Sequence, residues 1–447
     1  AVLLGGAPPR MLHLSAAAQA RLVDGAVSVT DATSAALARH LLDAGIAHPV
    51  VEPPDAVPPP SDVTVVIPVK DRTDGLARLL DALAAECLQR VIVVDDGSAD
   101  PDAVRAVAKA AGADVLRHAI SRGPAAARNA GLAAAITPVV AFFDSDVVPQ
   151  PGWLPALLTR FADPAVGLVA PRIVALPPFT GWLGRYEAVR SSLDLGPDPA
   201  LVVPRSRVAY VPSAALLVRR AAVGAGFDAD MHVAEDVDLV LRLHAVGWRL
   251  RYEPTARVAH DHRTTFRAWW LRKAFYGTGA APLALRHPGA VPPMVLSPTA
   301  AAMSVLLLLQ RPLAALAVAG VATLRLSRKL QRLRNPRTTA ARLIALAAVG
   351  AAAQTSDAVT RHYWPLSVLA ALVSRRARRT VVAIAVGGAV VDWFRVSPDR
   401  PALPGFLLAR RLDDLAYGAG LWWGAATHRT LEPLRPVGPS ERATPKD

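Results

Sequence analysis

Residues 63–72 read VTVVIPVKDR, residues 90–98 read RVIVVDDGS and residues 139–146 read VVAFFDSD. The β-branched run Val63–Val69 is what a strand covered on both faces of a parallel sheet requires. Arg90–Val94, Asp114–Arg117 and Pro138–Phe143 are further expected strands. Leu76–Glu86, Asp102–Ala111 and Ala125–Ala135 are the helices expected between them. Such alternation predicts a doubly wound α/β sheet with right-handed crossovers. Ligands of these sheets gather at the carboxyl ends of the strands. Neither GxxxxGK[ST] nor GxGxxG occurs, which excludes the common glycine-rich phosphate loops.

The residues just past each strand therefore carry the chemistry. Past the first stand Pro68, Lys70, Asp71 and Arg72; past the second, Asp95, Asp96, Gly97 and Ser98. Asp-Gly makes a plain turn, but after VIVV Asp96 is placed to accept from a base or ribose. Past the fourth strand, Asp144-Ser145-Asp146 forms a DxD. Two carboxylates so spaced share one divalent ion and leave positions free for diphosphate oxygens and water. Arg122 and Arg128 bring cations to the same edge, either in direct contact or holding the nucleotide loop. Glu235-Asp236 opens the apolar helix AEDVDLVLRL. Acids there cap a helix dipole, and Asp236 is also suited to act as general base, with Glu235 orienting it. A further strand is expected at Trp248–Glu253 and Ala256–Ala259. His260 follows it as a third metal ligand, with His262 its competitor for that role. Arg272 and Lys273 lie in an aromatic, basic helix (Trp269–Gly277), either an interface helix or the clamp on a leaving diphosphate. Trp153 and Trp182 are candidates for stacking on a sugar ring.

VVIPVKDR, VIVVDDGS, RGPAAARNAGL, FFDSD and AEDVDLVLRL, in this order from Val63 to about Gly277, resemble the catalytic domain of glycosyltransferase family 2. The resemblance implies an α/β, GT-A (Rossmann-like) sheet that binds a nucleotide-sugar. It also implies Mg2+ or Mn2+ on the DxD and an inverting transfer with Asp236 as base. Pro68, Asp71, Arg72, Asp96, Arg122, Arg128, Asp144, Ser145, Arg272 and Lys273 are the expected nucleotide-sugar contacts, and Asp144, Asp146 and His260 the expected metal ligands. QxxRW, the mark of processive polysaccharide synthases, is absent, so long-chain synthesis is not expected. Nearly the whole chain, from AVLLGGAPPRMLHLS through SSLDLG and VAYVPSAALLVRR, is similar to the glycosyltransferases of the mycofactocin system. That narrower resemblance implies UDP-glucose as donor, β-1,4 linkage, and a small peptide-derived redox cofactor as acceptor. A polyprenyl-phosphate or cell-surface glycan acceptor is the alternative.

Around this domain the chain divides further. Residues 1–52 read as a small helical, winged-helix-like module, with helices at Ala16–Val23 and Ala35–Ala44. It resembles part of a PqqD-like peptide-recognition module. Residues 53–61 form a Pro-rich linker, 62–285 the transferase domain, and 286–447 an α-helical region. The 447 residues hold 50 Arg+Lys and 36 Asp+Glu, a net charge of +14. From Arg325 onward stand 20 basic and 8 acidic residues, so the preceding chain is nearly neutral. The basic excess alternates with the apolar stretches Val295–Leu309, Pro312–Leu324, Leu343–Ala353 and Thr380–Val391. Each is shorter than the ~20 residues a bilayer core requires. Arginine clusters beside short apolar segments point to an anionic membrane face rather than to nucleic acid. One variant folds Val295–Leu324 into a re-entrant hairpin turning at Gln310–Pro312. Cys87 is the sole cysteine, which excludes a disulfide scaffold and fits a reducing compartment. No secretory leader is legible at the start. The expected location is cytoplasmic, peripheral to the inner face of the cell membrane.

Overall fold

A computed structural model describes residues 2–7, 9–50, 57–263, 265–396 and 400–439. Pro53 and Pro54 of the expected linker and the last residues of the expected C-terminal region lie outside the described residues. Packing divides the chain into Ala1–Phe179 with Arg190–His262, and Thr180–Val189 with Arg263–Asp447.

The first unit begins with a hairpin, β1 (Val2–Gly5) and β2 (Arg10–His13), followed by α1 (Ala16–Ala20) and α2 (Ala32–Asp43). The sequence reading had only helices here. VLLG and RMLH are four-residue strands with little β-branching, too weak a signal to separate from loop. Asp31 caps α2, which starts three residues before the expected Ala35: its carboxylate accepts from the Ser34 amide while Ser34 Oγ accepts from the Asp31 amide. The module is fastened to the unit by Arg249, paired with both Asp43 and Asp163, and by Arg160 Nη1 donating to the Pro49 carbonyl at 2.6 Å.

The sheet elements follow as β3 (Val63–Val69), α3 (Thr73–Leu83), β4 (Arg90–Asp96), α4 (Pro101–Ala110), β5 (Asp114–His118), α5 (Pro124–Ala134), β6 (Val139–Phe143), β7 (Val147–Pro149), α6 (Trp153–Leu158) and β8 (Val166–Ala175). After α7 (Gly181–Arg190) come β9 (Ala200–Leu201), β10 (Ala215–Arg219), α8 (Arg220–Val223), α9 (Glu235–Ala245) and β11 (Arg249–His260). Nine strands make one sheet in the order β5-β4-β3-β6-β10-β8-β11-β7, with β9 on β11. Strands β5, β4, β3 and β6 are parallel, as the alternation requires. β10 runs antiparallel to both β6 and β8, and β7 antiparallel to β11. This mixed half was not legible in the sequence.

Alternation along a strand sends successive side chains to opposite faces. Val65, Ile67, Val93 and Phe143 pack on one face with Leu76, Leu79 and Trp153; Val66, Ile92, Val94 and Phe142 pack on the other with Leu239 and Val240. Each such buried side chain contributes about 1.5–3 kcal/mol. Two covered faces are why β3 reads as a continuous apolar run. Trp153 is 1% exposed and meets Phe143 edge-on at 5.0 Å. It is a core residue, which corrects the expectation of sugar stacking.

The second unit joins α7 to α10 (Phe266–Thr278), α11 (Ala280–Arg286), α12 (Pro298–Leu308), α13 (Pro312–Lys329), α14 (Pro336–Asp357), α15 (Trp364–Val373), α16 (Arg375–Arg395) and α17 (Leu403–Thr427). α10 and α17 approach so closely that a Cβ on Gly420 would overlap the Ala274 carbonyl, the small-residue packing that lets helix backbones meet. Trp182 stacks on Phe266 within this unit. The expectation that every apolar stretch is too short for a bilayer fails at one place. Leu343–Ala353 is the middle of a helical run, Pro336–His362, of 27 residues, whose most apolar 18-residue stretch has mean hydropathy 1.3. Its flanking Thr, Ala and Gln residues extend the helix without looking apolar.

Candidate active site

The expected acids meet at the carboxyl edge of the sheet. Asp144-Ser145-Asp146 is the turn between β6 and β7. Gly75, in the first turn of α3, lies so close that a side chain there would strike the Ser145 carbonyl. Ser145 is buried beneath this contact. Its fixed backbone aims the two aspartates apart. Asp144 takes Arg128 Nη2 at 2.6 Å, and Asp146 takes Arg72 Nη1 at 2.6 Å. His260, at the end of β11, stands with Nε2 3.6 Å from Asp146 Oδ1 and Nδ1 3.2 Å from Nδ1 of His262. Among the described residues no three His, Cys, Asp or Glu side chains gather as a metal cluster. Asp146 and His260 are the juxtaposed donors, while each aspartate of the DxD is paired with its own arginine. A carboxylate and an imidazole suit Mn2+ or Mg2+, with coordination left open for diphosphate and water.

Arg128 is the hinge of the site. It is 2% exposed, projects from α5, and reaches Glu235 Oε1 at 2.9 Å as well as Asp144. Its guanidinium lies 5.2 Å from the Phe227 ring centre. Burial opposes its charge, but Asp144 and Glu235 outweigh that and hold it protonated far above the ordinary range. Glu235 is buried too. Burial first, then the charge of Asp236, push its carboxyl above the usual range, with Arg128 pulling against both. Asp236, one residue on, is only half-buried. Its Oδ2 accepts from the Ser213 amide at 2.9 Å and its Oδ1 from the Val237 amide at 2.8 Å. Ser213 Oγ also donates to Oδ2 at 3.4 Å, so these bonds fix the carboxylate and leave a lone pair on Oδ1. Of the two acids, Asp236 is the more exposed. Ser213, in the segment before β10, was missed because nothing local marks it.

Asp96 departs from expectation. It is 5% exposed, and its two oxygens engage His118 Nδ1 (2.7 Å), Ser121 Oγ (2.8 Å), and the amides of Arg122 (2.9 Å) and Gly123 (2.8 Å). A carboxylate has about four lone-pair sites, so none is left for a base or ribose. Asp96 instead fastens the 118–123 loop to the end of β4. Burial raises its carboxyl, but the Arg122 amide, His118, Ser121 and the Gly123 amide together bring it below the ordinary 3.8. A folded value below the unfolded one gives stability that is full above pH ~4 and lost as pH falls through the lowered value. Asp96→Ala is therefore expected to cost about 1–3 kcal/mol at neutral pH. It should also remove part of the acid limb of the stability curve, as read by urea unfolding from pH 7 to 3.

Asp71 bridges the neighbouring loops. Its amide donates to Ser98 Oγ at 3.0 Å and its Oδ1 accepts from the Ala99 amide at 2.7 Å. Pro68 sits half-buried in β3 opposite Val94. Arg122 is exposed, and its amide rather than its guanidinium makes the bond to Asp96. Arg272 and Lys273 belong to the second unit. Lys273 is 5% exposed, with Nζ 2.9 Å from Glu187 and 3.6 Å from Asp413. Glu187 also accepts from Trp269 Nε1 at 2.7 Å. This lysine is a buried structural cation, which corrects its expected role as a diphosphate clamp. Arg272 lies over the Tyr276 ring at 5.3 Å.

The model of the family described as "Glycosyl transferase family 2" matches residues 64–223. Over 446 residues the chain is 50% identical to the pre-mycofactocin glycosyltransferase of Mycobacterium tuberculosis, covering 97% of this chain and 94% of that protein. The chain belongs to glycosyltransferase family 2. It is an enzyme, a glycosyltransferase on an α/β sheet of the GT-A kind. The succinoglycan biosynthesis protein ExoU of Rhizobium meliloti is 31% identical over 211 residues, 43% of this chain and 59% of that one. A solved mannosyltransferase from Pyrobaculum calidifontis, in complex with GDP-Man and Mn2+, aligns over 80% of this chain and 95% of its own. Its identity is 20% and its TM-score 0.41. In family terms, the matched segment carries the DxD and Arg128, while Glu235-Asp236 and His260 lie beyond it.

Proposed function

We propose that this glycosyltransferase moves glucose from UDP-glucose, with inversion, onto a peptide-derived precursor of mycofactocin in the cytoplasm, building β-1,4-linked units. The observation that carries the acceptor is the 50% identity, over nearly the full length of both chains, to a protein named for that activity. The donor sugar and linkage rest on the resemblance already described.

The chemistry follows from the site. Asp236 accepts the proton of the acceptor hydroxyl as that oxygen bonds to the sugar's anomeric carbon. The bond from that carbon to the diphosphate oxygen breaks, and nucleoside diphosphate leaves with the electron pair. Attack opposite the leaving group inverts the anomeric centre. Asp146 and His260 would hold Mg2+ or Mn2+, which when bound supplies positive charge to the diphosphate. Arg128 is bonded to both Asp144 and Glu235 and so ties the DxD turn to the start of α9. Arg72, now on Asp146, is the cation closest to the DxD that also has an exposed side chain.

The test is mass spectrometry of a soluble precursor incubated with a panel of UDP-sugars. Hexose addition with UDP-glucose is the expected outcome. A polyprenyl-phosphate or glycan acceptor is the second reading, favoured by the exposed apolar helices of the second unit. Turnover on a lipid extract alone would overturn the soluble acceptor.

A further inference from the structure

The helices of the second unit bury small apolar residues together with a few paired polar groups, and they also expose large apolar side chains. On α13 the exposed Leu313, Leu316 and Leu324 fall on one face with Val321 at its edge, and α16 exposes Val382, Val386, Phe394 and Val391 over a broader face. Offsets of three and eight residues on α13, and of four and eight between Val382, Val386 and Phe394, place these side chains in rows along the helices. The inward faces also hold polar groups that are paired within the unit. Ser304 Oγ accepts from Thr355 at 3.0 Å, and buried Arg410 holds Asp357 at 2.6 Å, Asp392 at 3.0 Å and Asp414.

Each stripe ends in exposed arginines: Arg311 before and Arg325 and Arg328 after the α13 stripe, Arg375 and Arg379 before and Arg395 after that of α16. The α12–α13 turn meets the start of α16, where Gln310 Nε2 donates to Thr380 Oγ1 at 2.9 Å and Arg376 bonds the Leu309 carbonyl. Both helical hairpins thus present their basic turns together. The apolar part of α13, Pro312–Leu324, spans about 20 Å at 1.5 Å per residue, short of the ~30 Å hydrocarbon core. Arginines at both ends of so short a stripe reach phosphates of one leaflet if the helix lies along the surface.

We infer that α13 and α16 lie in the plane of an anionic phospholipid leaflet, with their stripes among the acyl chains and their terminal arginines on lipid phosphates. The charge selects the occupant, because a ring of arginines around an apolar face matches headgroups above hydrocarbon. The inference is independent of the donor and acceptor proposed above.

The test uses the full chain with Cys87→Ser and a single cysteine in place of Leu316 or Val386, carrying an environment-sensitive fluorophore. The control is the native chain labelled at Cys87, which is exposed in the first unit. Vesicles containing phosphatidylglycerol should shift both stripe probes to the blue, and spin-labelled lipid should quench them most strongly when the label is near the headgroup. The Cys87 probe should not respond. Vesicles of phosphatidylcholine alone should bind at least about tenfold more weakly, since each surface arginine contributes ~1 kcal/mol on anionic lipid. Aqueous spectra on anionic vesicles would overturn the inference. So would strongest quenching from a label at the chain end, which means crossing rather than lying in the leaflet. A dimer by light scattering without vesicle binding would assign the stripes to a second copy and overturn it as well.

Discussion

Asp236→Asn is expected to lower the rate of sugar transfer by about 10²–10⁴-fold, the usual contribution of a positioned general base. The substitution keeps the shape and still offers an oxygen to the Ser213 amide, which now bonds Oδ2 at 2.9 Å. What it removes is proton affinity. Affinity for UDP with Mn2+ should be unchanged, because the proposed metal donors are Asp146 and His260 and not Asp236. Single-turnover kinetics beside UDP calorimetry separate the two. A variant that transfers at the wild-type rate would remove Asp236 from the mechanism. One that loses UDP binding to the same degree would make it a structural residue.

The second large effect falls on Arg128→Met. Arg128 pairs with both Asp144 and Glu235, and both it and Glu235 are buried. Removing one partner of a buried pair costs about 3–5 kcal/mol, because the remaining charge is stranded without solvent. Glu235, already pushed upward by burial and by Asp236, would then take up a proton. The expected outcome is a fall in unfolding free energy of that size, together with loss of transfer. Adding Glu235→Gln should return part of the stability, since the stranded charge is gone, while leaving transfer impaired because Asp144 stays unpaired. Thermal and urea unfolding of both single variants and the double variant give the coupling. Strict additivity would show that the Arg128–Glu235 contact carries no energy.

The legible parts of this protein were those written in contiguous residues. β3, β4 and β6 announce themselves because strands buried on both faces need unbroken apolar runs, and the acids that follow mark the edge where ligands bind. What stayed hidden depends on partners distant in sequence. Asp96 looked like a nucleotide ligand because its partners His118, Ser121, Arg122 and Gly123 sit on another loop, 22 to 27 residues away. Lys273 looked like a free cation because Glu187 and Asp413, which bury its charge, lie on α7 and α17. The two aspartates of the DxD looked equivalent until Arg128 and Arg72 divided them. The β1–β2 hairpin and the antiparallel β10 were missed for another reason: short strands lack the length over which periodicity can be read.

The central claim is that acids at the carboxyl edge of the sheet bind a metal–nucleotide pair, and calorimetry with UDP tests it most directly. Titrating UDP into the full chain with and without Mn2+, and into Asp146→Ala and His260→Ala, compares the necessary states. Binding that requires Mn2+ and is lost in both variants is the expected result. Binding of equal strength without metal, or undiminished in Asp146→Ala, would contradict the account.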